Sequence, residues 1–416
     1  MGARTPSPQP GLPERRPELD AIRMLVVIGL IFFHSALVFA TEGDFYVTNS
    51  ETTEVVTVIA GFGVVWAMPL LFLISGLGAR HSLRRRGEGT FVKERLLRLG
   101  VPLLLATLLL NPVPQWLRQR SSDPDYTESY LDFLPHFFDV RVEFDELPFL
   151  IQGRYFETGH LWFVVLLLTF SLLLACLHRW LPREPVRRVT HRVAAATLLR
   201  RGVLLLPALV FAAICAFAGM EEDYAGWHRW SYLLFFAAGF ILATDTRYRA
   251  AMRREARAAA CIGVLLFVAA APGFTTGDDP FTETTPSAVV SRALFGAAGW
   301  CLVVAIPGLL DRPGRQPPQE PVQAPTRTAR RRVHGYLAVA VLPLYVLHQP
   351  IVVAVAYFVV GWPAPIPVEY VVLVTISLAL TLAAYELLAR RTPVTRFLFG
   401  MRGLNRPPQP SSATTG

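Results

Sequence analysis

The chain has 416 residues, of which 53% are hydrophobic and only 17% are charged, and its mean hydropathy is +0.40. This composition is that of a membrane protein and excludes an ordinary soluble domain. The net charge of +9 comes mainly from loop arginines, which serve membrane topology and contact with anionic lipid, so it does not indicate a nucleic-acid partner.

Apolar runs of roughly 17–25 residues, each long enough to cross a bilayer, recur along the chain. We predict ten transmembrane helices, near residues 22–41, 55–78, 97–112, 160–178, 201–219, 230–244, 258–273, 288–310, 335–359 and 367–388. The runs at 97–112 and 230–244 are the shortest. The predicted fold class is all-α, a polytopic helical bundle in the lipid bilayer.

The loops predict the orientation of this bundle. Basic loops follow the even-numbered spans and acidic or neutral loops follow the odd-numbered ones, so both termini are expected to be cytoplasmic. The membrane domain covers 18–403, between polar ends at 1–17 and 404–416 that we expect to be disordered. Residues 113–159 form an outer segment that we expect to be ordered, and 311–332 form a Pro-rich cytoplasmic linker.

The first predicted span carries two ionisable residues, Arg23 and His34. The eleven-residue separation places both on nearly the same helix face, roughly 16 Å apart along the axis. Asp20 precedes Arg23 by three residues and can pair with it. His34 is expected near the bilayer middle as a neutral imidazole, which is the form that a general base requires. The alternative is a structural histidine bonded to a neighbouring helix.

A second group lies between the second and third spans. Ser75 and Gly76 would permit close approach to the backbone near the inner surface. Arg95 and Arg98 are three residues apart and form one cationic edge, which suits the phosphates of a cytosolic nucleotide. The alternative is that these arginines serve only membrane topology.

One further group of candidate residues lies at the start of the fourth span, and another lies within the ninth. His160 and Trp162 are predicted at the outer surface, either as contacts for an acceptor or as part of an interfacial aromatic belt. Tyr345 and His348 share one helix face, and His348 has nearly the same predicted depth as His34. The alternative role for His348 is an interhelical hydrogen bond.

The cysteines do not indicate a metal site. Cys176, Cys215, Cys261 and Cys301 lie in or at the ends of spans without CxxC spacing, so we expect small buried apolar residues. No cluster of His, Cys and carboxylate residues has ligand spacing, and no metal or bound cofactor is predicted.

Together these motifs resemble the acyltransferase-3 family of integral membrane acyltransferases. Arg23 and His34 match the family's Arg-x10-His motif, and Arg95 and Arg98 match its Arg-x-x-Arg motif. The family's SGF-type motif occurs as Ser75–Leu77, with Leu in place of Phe. The segments LDAIR, GHLWFVVLLL and LPLYVLHQP are most similar to members that succinylate periplasmic glucans, although those members tend to have His-His-Pro where this chain has HQP.

The resemblance implies a multi-pass enzyme of the inner or plasma membrane. Its expected co-substrate is cytosolic acyl-CoA, and its expected acceptor is a hydroxyl of an extracytoplasmic glycan or a similar molecule. The residues expected to bind the donor are Asp20, Arg23, Ser75, Gly76, Arg95 and Arg98. His34 would serve either as general base or as carrier of a transient acyl-imidazole, with His348 or Tyr345 orienting it or holding the thioester oxygen.

Two other classes of protein stay open at the level of sequence. A membrane transporter or lipid/glycan flippase would use the buried histidines as proton relays. A sensor or scaffold would not need two histidines at matched depth. Covalent modification of the acceptor separates an acyltransferase from both classes, because a transporter releases its cargo unmodified.

Overall fold

A computed structural model describes residues 17–41, 45–275, 279–311 and 325–401. The helices in these ranges are α1 (Pro17–Leu37), α2 (Glu54–Arg86), α3 (Glu88–Arg95), α4 (Val101–Leu109), α5 (Pro112–Ser122), α6 (Tyr130–Phe137), α7 (Trp162–Trp180), α8 (Arg183–Leu199), α9 (Pro207–Phe217), α10 (Arg229–Leu242), α11 (Thr246–Thr275), α12 (Pro286–Leu310), α13 (Pro325–Val359), α14 (Ile366–Ala384) and α15 (Pro393–Leu398). This architecture confirms the all-α prediction.

Single π-helical turns interrupt two of the long helical stretches. One turn, Leu96–Gly100, joins α3 to α4, and the other, Tyr385–Ala389, continues α14. Such turns are rare and occur frequently at functional sites. The first of them contains Arg98, so the Arg-x-x-Arg motif runs from the end of α3 into the π turn.

Eight helical stretches in the described residues are long and apolar enough to cross a membrane. They are Glu18–Leu37, Glu54–Arg86, Glu88–Ser122, Gly159–Trp180, Thr246–Phe274, Pro286–Leu310, Val339–Val359 and Ile366–Ala389. The other two predicted spans, 201–219 and 230–244, correspond to the shorter helices α9 and α10. The chain is a multi-pass membrane protein.

Several element boundaries differ from the sequence prediction. Helix α1 begins at Pro17 and ends at Leu37, four residues before the predicted end of the span. Beyond it the chain turns, and the amides of Asn49 and Thr53 bond back to the carbonyls of Val38 and Phe39.

The predicted terminal and linker segments lie largely outside the described residues. These are 1–16 of the N-terminal segment, 312–324 of the linker and 402–416 at the C-terminus. The end of the linker is helical, because α13 begins at Pro325.

The segment 113–159, predicted to lie outside the membrane, adopts regular secondary structure, and its first ten residues continue the helical stretch Glu88–Ser122. It contains α5, α6 and the antiparallel hairpin of β1 (Val140–Val142) and β2 (Ile151–Gly153), in which Val140 pairs with Gly153. Arg229, at the start of α10, bonds to Glu146 after β1 and to Glu221, both at 2.9 Å. We call the end of the bundle that carries this hairpin the hairpin side, and the opposite end, with Arg23 and Arg98, the arginine side.

The packing of α2 against α10 depends on two glycines. A Cβ at Gly76 would lie 2.0 Å from the carbonyl oxygen of Phe236, and a Cβ at Gly239 would lie 1.9 Å from that of Leu73. The two backbones therefore touch directly, as small residues allow in membrane helix pairs. The close approach that the sequence suggested at Gly76 is occupied by helix α10.

We expect Gly76→Ala to disrupt this helix pair. The added methyl group meets backbone rather than a movable side chain, so α2 and α10 must separate and lose their packing. A fall in the thermal unfolding temperature by several degrees in detergent checks this expectation, because overpacking costs about 1–3 kcal/mol. The matched control is Gly63→Ala on the same helix, where a Cβ meets nothing within 4 Å; equal stability of both variants would contradict the assignment.

The four cysteines are free thiols. Cys215 and Cys301 are buried, as predicted, whereas Cys176 and Cys261 are exposed on the outward faces of α7 and α11, so the expectation of burial is wrong for these two. An apolar thiol tolerates a lipid-facing position as well as a position in the protein core, so residue type alone does not show which of these positions a cysteine occupies.

Candidate functional site

Three histidines from three distant parts of the chain meet in one cluster. The ring of His348 on α13 lies 5.2 Å from that of His34 on α1 and 5.1 Å from that of His160, centroid to centroid. His348 and the adjoining Gln349 are 0% and 4% exposed, and His160 is 6% exposed. The contact between His34 and His348 confirms that the two histidines share a depth, and His160 joins them.

The hydrogen bonds of His348 fix which of its nitrogens carries a proton. Its Nδ1 lies 2.6 Å from the carbonyl oxygen of Tyr345. A carbonyl only accepts, so Nδ1 donates, and in the neutral ring Nε2 is left with its lone pair. This Nε2 is buried and has no hydrogen-bond partner. His348 therefore offers an acceptor, not a donor, to a group that enters the cluster.

Tyr345 links α13 to the turn Gly159–Leu161, which leads into α7. Its hydroxyl donates to the main-chain carbonyl of His160, and the Nε2 of His160 donates in turn to the carbonyl of Val346 at 3.2 Å. These reciprocal bonds hold the rings of His160 and His348 in contact. The hydroxyl of Tyr345 is engaged by this carbonyl, so Tyr345 positions the cluster in this structure. A contact between Tyr345 and the thioester oxygen stays a prediction.

His34 lies in the last turn of α1, three residues from its end. It contacts His348, which lies near the middle of the membrane-spanning stretch Val339–Val359. The ring of Phe45 stacks on His34 at 5.8 Å, and Phe33 packs edge-on at 5.2 Å. The Nδ1 of His34 is inaccessible to water and has no hydrogen-bond partner.

Trp162 lies in the aromatic core and not at a surface. It is 9% exposed, and its ring packs against those of Tyr232 at 5.2 Å and Tyr224 at 5.8 Å. Helices α2 and α10 and the turn that carries Tyr224 enclose the ring of Trp162, so it packs within the protein and not on its surface. The predicted contact of Trp162 with the acceptor stays a prediction. His160, predicted at the outer surface as well, is buried within the histidine cluster.

Arg23 binds α2 at the segment that contains Ser75. Its Nη2 donates to the carbonyl of Ile74 at 3.0 Å, and its Nη1 lies 3.5 Å from Asp20. A Cβ at Gly78 would lie 3.4 Å from this guanidinium. The side chain is 31% exposed. The structure thus brings Arg23 next to Ser75, as the donor-site prediction requires, with Asp20 as the predicted partner.

The second pair of arginines forms a separate group on the arginine side. The Nε of Arg98 donates to the carbonyl of Gly400 at 3.2 Å, and its Nη1 lies 3.6 Å from Glu94. The guanidinium of Arg95 lies over the ring of Phe91 at 5.0 Å. Gly400 and Glu94 hold Arg98 beside the C-terminal end of the described chain, and both arginines are half-buried.

Sequence reasoning missed a polar cluster that adjoins the histidines on the hairpin side. The hydroxyl of Tyr46 donates to the carboxylate of Glu157. The amide of Asn111, between α4 and α5, donates to the main-chain carbonyls of Glu157 and Thr158 at 3.2 and 2.9 Å. Gln349, noted in the sequence only as a departure from His-His-Pro, follows His348 and lies at the same place.

The surroundings of Tyr46 and Glu157 determine which of the two donates in their hydrogen bond. Burial raises the pKa of the Tyr46 phenol well above 10, and the adjacent carboxylate of Glu157 raises it further. Burial also raises the pKa of Glu157, against the opposing effects of hydrogen bonds from Tyr46 and Gln115 and the charge of Arg118. Tyr46 therefore remains a donor.

Residues 16–386, most of the chain, match the family model for the acyltransferase domain of the acyltransferase-3 family. The chain belongs to this family. The histidine cluster and the arginines of both motifs lie within the matched range. The family assignment confirms the resemblance that the Arg-x10-His and Arg-x-x-Arg spacings indicated.

This member of the acyltransferase-3 family is similar to glucans biosynthesis protein C of Salmonella gallinarum, with 26% identity over 208 residues. The match covers 47% of this chain and 47% of the relative, so the chain spans about half the length of the curated relative it matches. No solved structure matches the chain.

Proposed function

We propose that this acyltransferase-3 member moves an acyl group, acetyl or succinyl, from cytosolic acyl-CoA to a hydroxyl of an extracytoplasmic glycan or a similar acceptor. The observation that carries this proposal is the cluster of three histidines, in which two buried ring nitrogens have no hydrogen-bond partner, one of them on the helix that also bears Arg23. Membership of the acyltransferase-3 family and the likeness to glucans biosynthesis protein C support it.

The proposed orientation places the arginine side in the cytoplasm of the host and the hairpin side outside, in the inner or plasma membrane. The basic loops after even-numbered spans support this orientation through the positive-inside rule. The phosphates of the donor then rest on Arg23, Arg95 and Arg98, and the acceptor arrives from the hairpin side.

In this reaction the acceptor oxygen forms a bond to the thioester carbon, and the carbon–sulfur bond breaks. His34 takes the hydroxyl proton as the oxygen attacks and returns it to the leaving thiolate, so that no proton is gained or lost overall. In the second route, His34 first carries the acyl group as an acyl-imidazole. This route uses the same nitrogen and gives the same products. His348 lies against His34 with a free acceptor nitrogen and orients the reacting group.

The function is tested with the purified full chain in liposomes, with acetyl-CoA or succinyl-CoA labelled in the acyl group and with a neutral oligosaccharide as acceptor. Formation of a labelled, alkali-labile ester on the oligosaccharide is the expected result. Labelled donor that remains intact, while the oligosaccharide crosses the liposome membrane unmodified, would overturn the proposal in favour of a transporter.

Arg23→Ala should weaken the use of the donor more than the use of the acceptor. A guanidinium that contacts phosphate contributes a charge-assisted hydrogen bond of about 1.5–3 kcal/mol, so the KM for acyl-CoA should rise about 10–100-fold. The control is Arg391→Ala, which removes an exposed arginine. A rise confined to the acceptor KM in Arg23→Ala would contradict the assignment of this residue to the donor.

A further inference from the structure

Three short segments of the chain each supply one ring to the histidine cluster and one polar side chain to a second cluster beside it. Phe45, which stacks on His34, is followed by Tyr46. Glu157 precedes His160 by three residues, and Gln349 directly follows His348. The second cluster, formed by Tyr46, Glu157 and Gln349, is therefore fixed relative to the histidines by the backbone itself. We call it the Tyr46 cluster.

The Tyr46 cluster surrounds a position that has no side chain. A Cβ built on Gly159 would lie 2.9 Å from the hydroxyl of Tyr46, 3.5 Å from Oε1 of Glu157 and 3.8 Å from Nε2 of Gln349. Gly159 has a φ of +49°, a backbone conformation that side chains rarely adopt. Three polar groups thus converge within hydrogen-bonding reach of one small volume, next to His160.

Two buried acceptor atoms at this place lack partners. The Oε1 of Gln349 and the Nε2 of His348 are both inaccessible to water, and neither has a hydrogen-bond partner. A buried acceptor without a donor costs about 1–3 kcal/mol, so such atoms call for an explanation. Both atoms need a donor, and a hydroxyl-bearing ligand supplies donors.

A residue outside the histidine cluster fixes the main chain at Glu157. The side-chain amide of Asn111 donates to the main-chain carbonyls of Glu157 and Thr158 at 3.2 and 2.9 Å. The main chain at Glu157 is thereby held in place by Asn111, a residue outside the histidine cluster. The guanidinium of Arg118 lies 6.0 Å from the centre of the Tyr46 ring, and its positive charge partly offsets the effect of burial, which raises the pKa of Glu157.

We propose that Tyr46, Glu157 and Gln349 form the subsite that binds the acceptor, and that this subsite selects an uncharged polyol such as a neutral sugar unit. The inference rests on the proposed function. Hydroxyls beside the reacting one donate to the carboxylate of Glu157 and to Oε1 of Gln349, while the reacting hydroxyl points to His34 and His348. A carboxylate in this place repels an anionic acceptor, so the cluster discriminates against acidic sugars.

The three side chains are positioning and specificity residues, because they bind the part of the acceptor that does not react. Their removal should raise the acceptor KM and leave donor binding unchanged. Loss of a hydrogen bond to a buried charge predicts an increase of about 10–100-fold in acceptor KM for Glu157→Gln. Tyr46→Phe keeps the ring that Arg118 faces and removes only the hydroxyl, so a smaller increase in acceptor KM is expected.

The chain contains a matched control for both variants. Tyr126 donates to Glu128 at 2.9 Å in the same outer segment, and this second tyrosine–glutamate pair lies away from the histidines, with Glu128 exposed. Glu128→Gln and Tyr126→Phe should therefore leave the acceptor KM at the wild-type value. Binding of acyl-CoA, measured by equilibrium dialysis on the full chain, and thermal unfolding show whether each variant is folded.

The decisive readout is the ratio of kcat/KM for a neutral oligosaccharide to that for a uronic-acid oligosaccharide of equal length. The wild type should prefer the neutral acceptor, and Glu157→Gln should lower the ratio about tenfold or more, which loss of stability alone would not do. An unchanged ratio and acceptor KM in folded Glu157→Gln and Tyr46→Phe would overturn the inference while the proposed function stands. Absence of transfer by the wild type would instead overturn the proposed function.

Discussion

His34→Ala should lower acyl transfer by about 10²–10⁴-fold, the contribution that a positioned general base makes. The variant should fold, because His34 is half-buried in the last turn of α1 and its Nδ1 holds no partner that the fold would lose. Transfer is measured as labelled ester formed on the oligosaccharide, alongside the thermal unfolding temperature in detergent.

The control for His34→Ala is His136→Ala, which removes an exposed histidine on α6. This variant should transfer the acyl group at the wild-type rate. Imidazole added to the reaction should restore part of the activity of His34→Ala and none in a variant that is merely unfolded. A His34→Ala protein with wild-type transfer would show that another group accepts the proton.

His348→Asn should reduce transfer about 10²-fold or more, whereas His348→Gln should reduce it less. The amide of asparagine can replace the Nδ1–H that donates to Tyr345 but has no atom at the position of Nε2. Glutamine instead retains a polar atom near that position. The pair of variants therefore separates the structural nitrogen of His348 from the unpartnered one.

The measurement for the His348 variants is kcat at saturating donor and acceptor, together with the unfolding temperature. Full activity in His348→Asn would mean that only the hydrogen bond to Tyr345 matters. In that case His348 would be a structural histidine, the alternative that its sequence position left open.

The helical fold could be predicted from the sequence because apolar runs of membrane-spanning length leave few other structures. The matched depth of His34 and His348 could be predicted for the same reason, since helix rise converts sequence position into distance. The exact ends of the helices could not be predicted. The end of α1 at Leu37 depends on the turn that Asn49 and Thr53 close, which is a contact between segments and not a property of α1.

The role of Gly76 illustrates a different limit. A glycine beside a serine indicates that something approaches the backbone closely, but the sequence does not say what approaches. In the structure it is the carbonyl of Phe236 on α10. The reciprocal contact of Gly239 with Leu73 would have been the signal, had the two helices been known to pair.

The Tyr46 cluster could not be predicted because its members come from three distant segments. Tyr46 and Glu157 are 111 residues apart in the chain. Neither lies in a predicted span, so helix periodicity gave no information about their neighbours. Placement of His160 in the histidine cluster was missed in a similar way, because its contact with His348 joins two helices of unknown mutual position.

Mass spectrometry of alkali-labile acyl groups on the envelope glycans of the native host tests the central claim most directly. Three strains are compared: a deletion, the deletion with the wild-type gene restored, and the deletion with His34→Ala restored at equal expression. We predict an ester that returns only with the wild type, and its mass identifies the acyl group. An ester that is restored equally by His34→Ala would contradict the account of the histidine cluster.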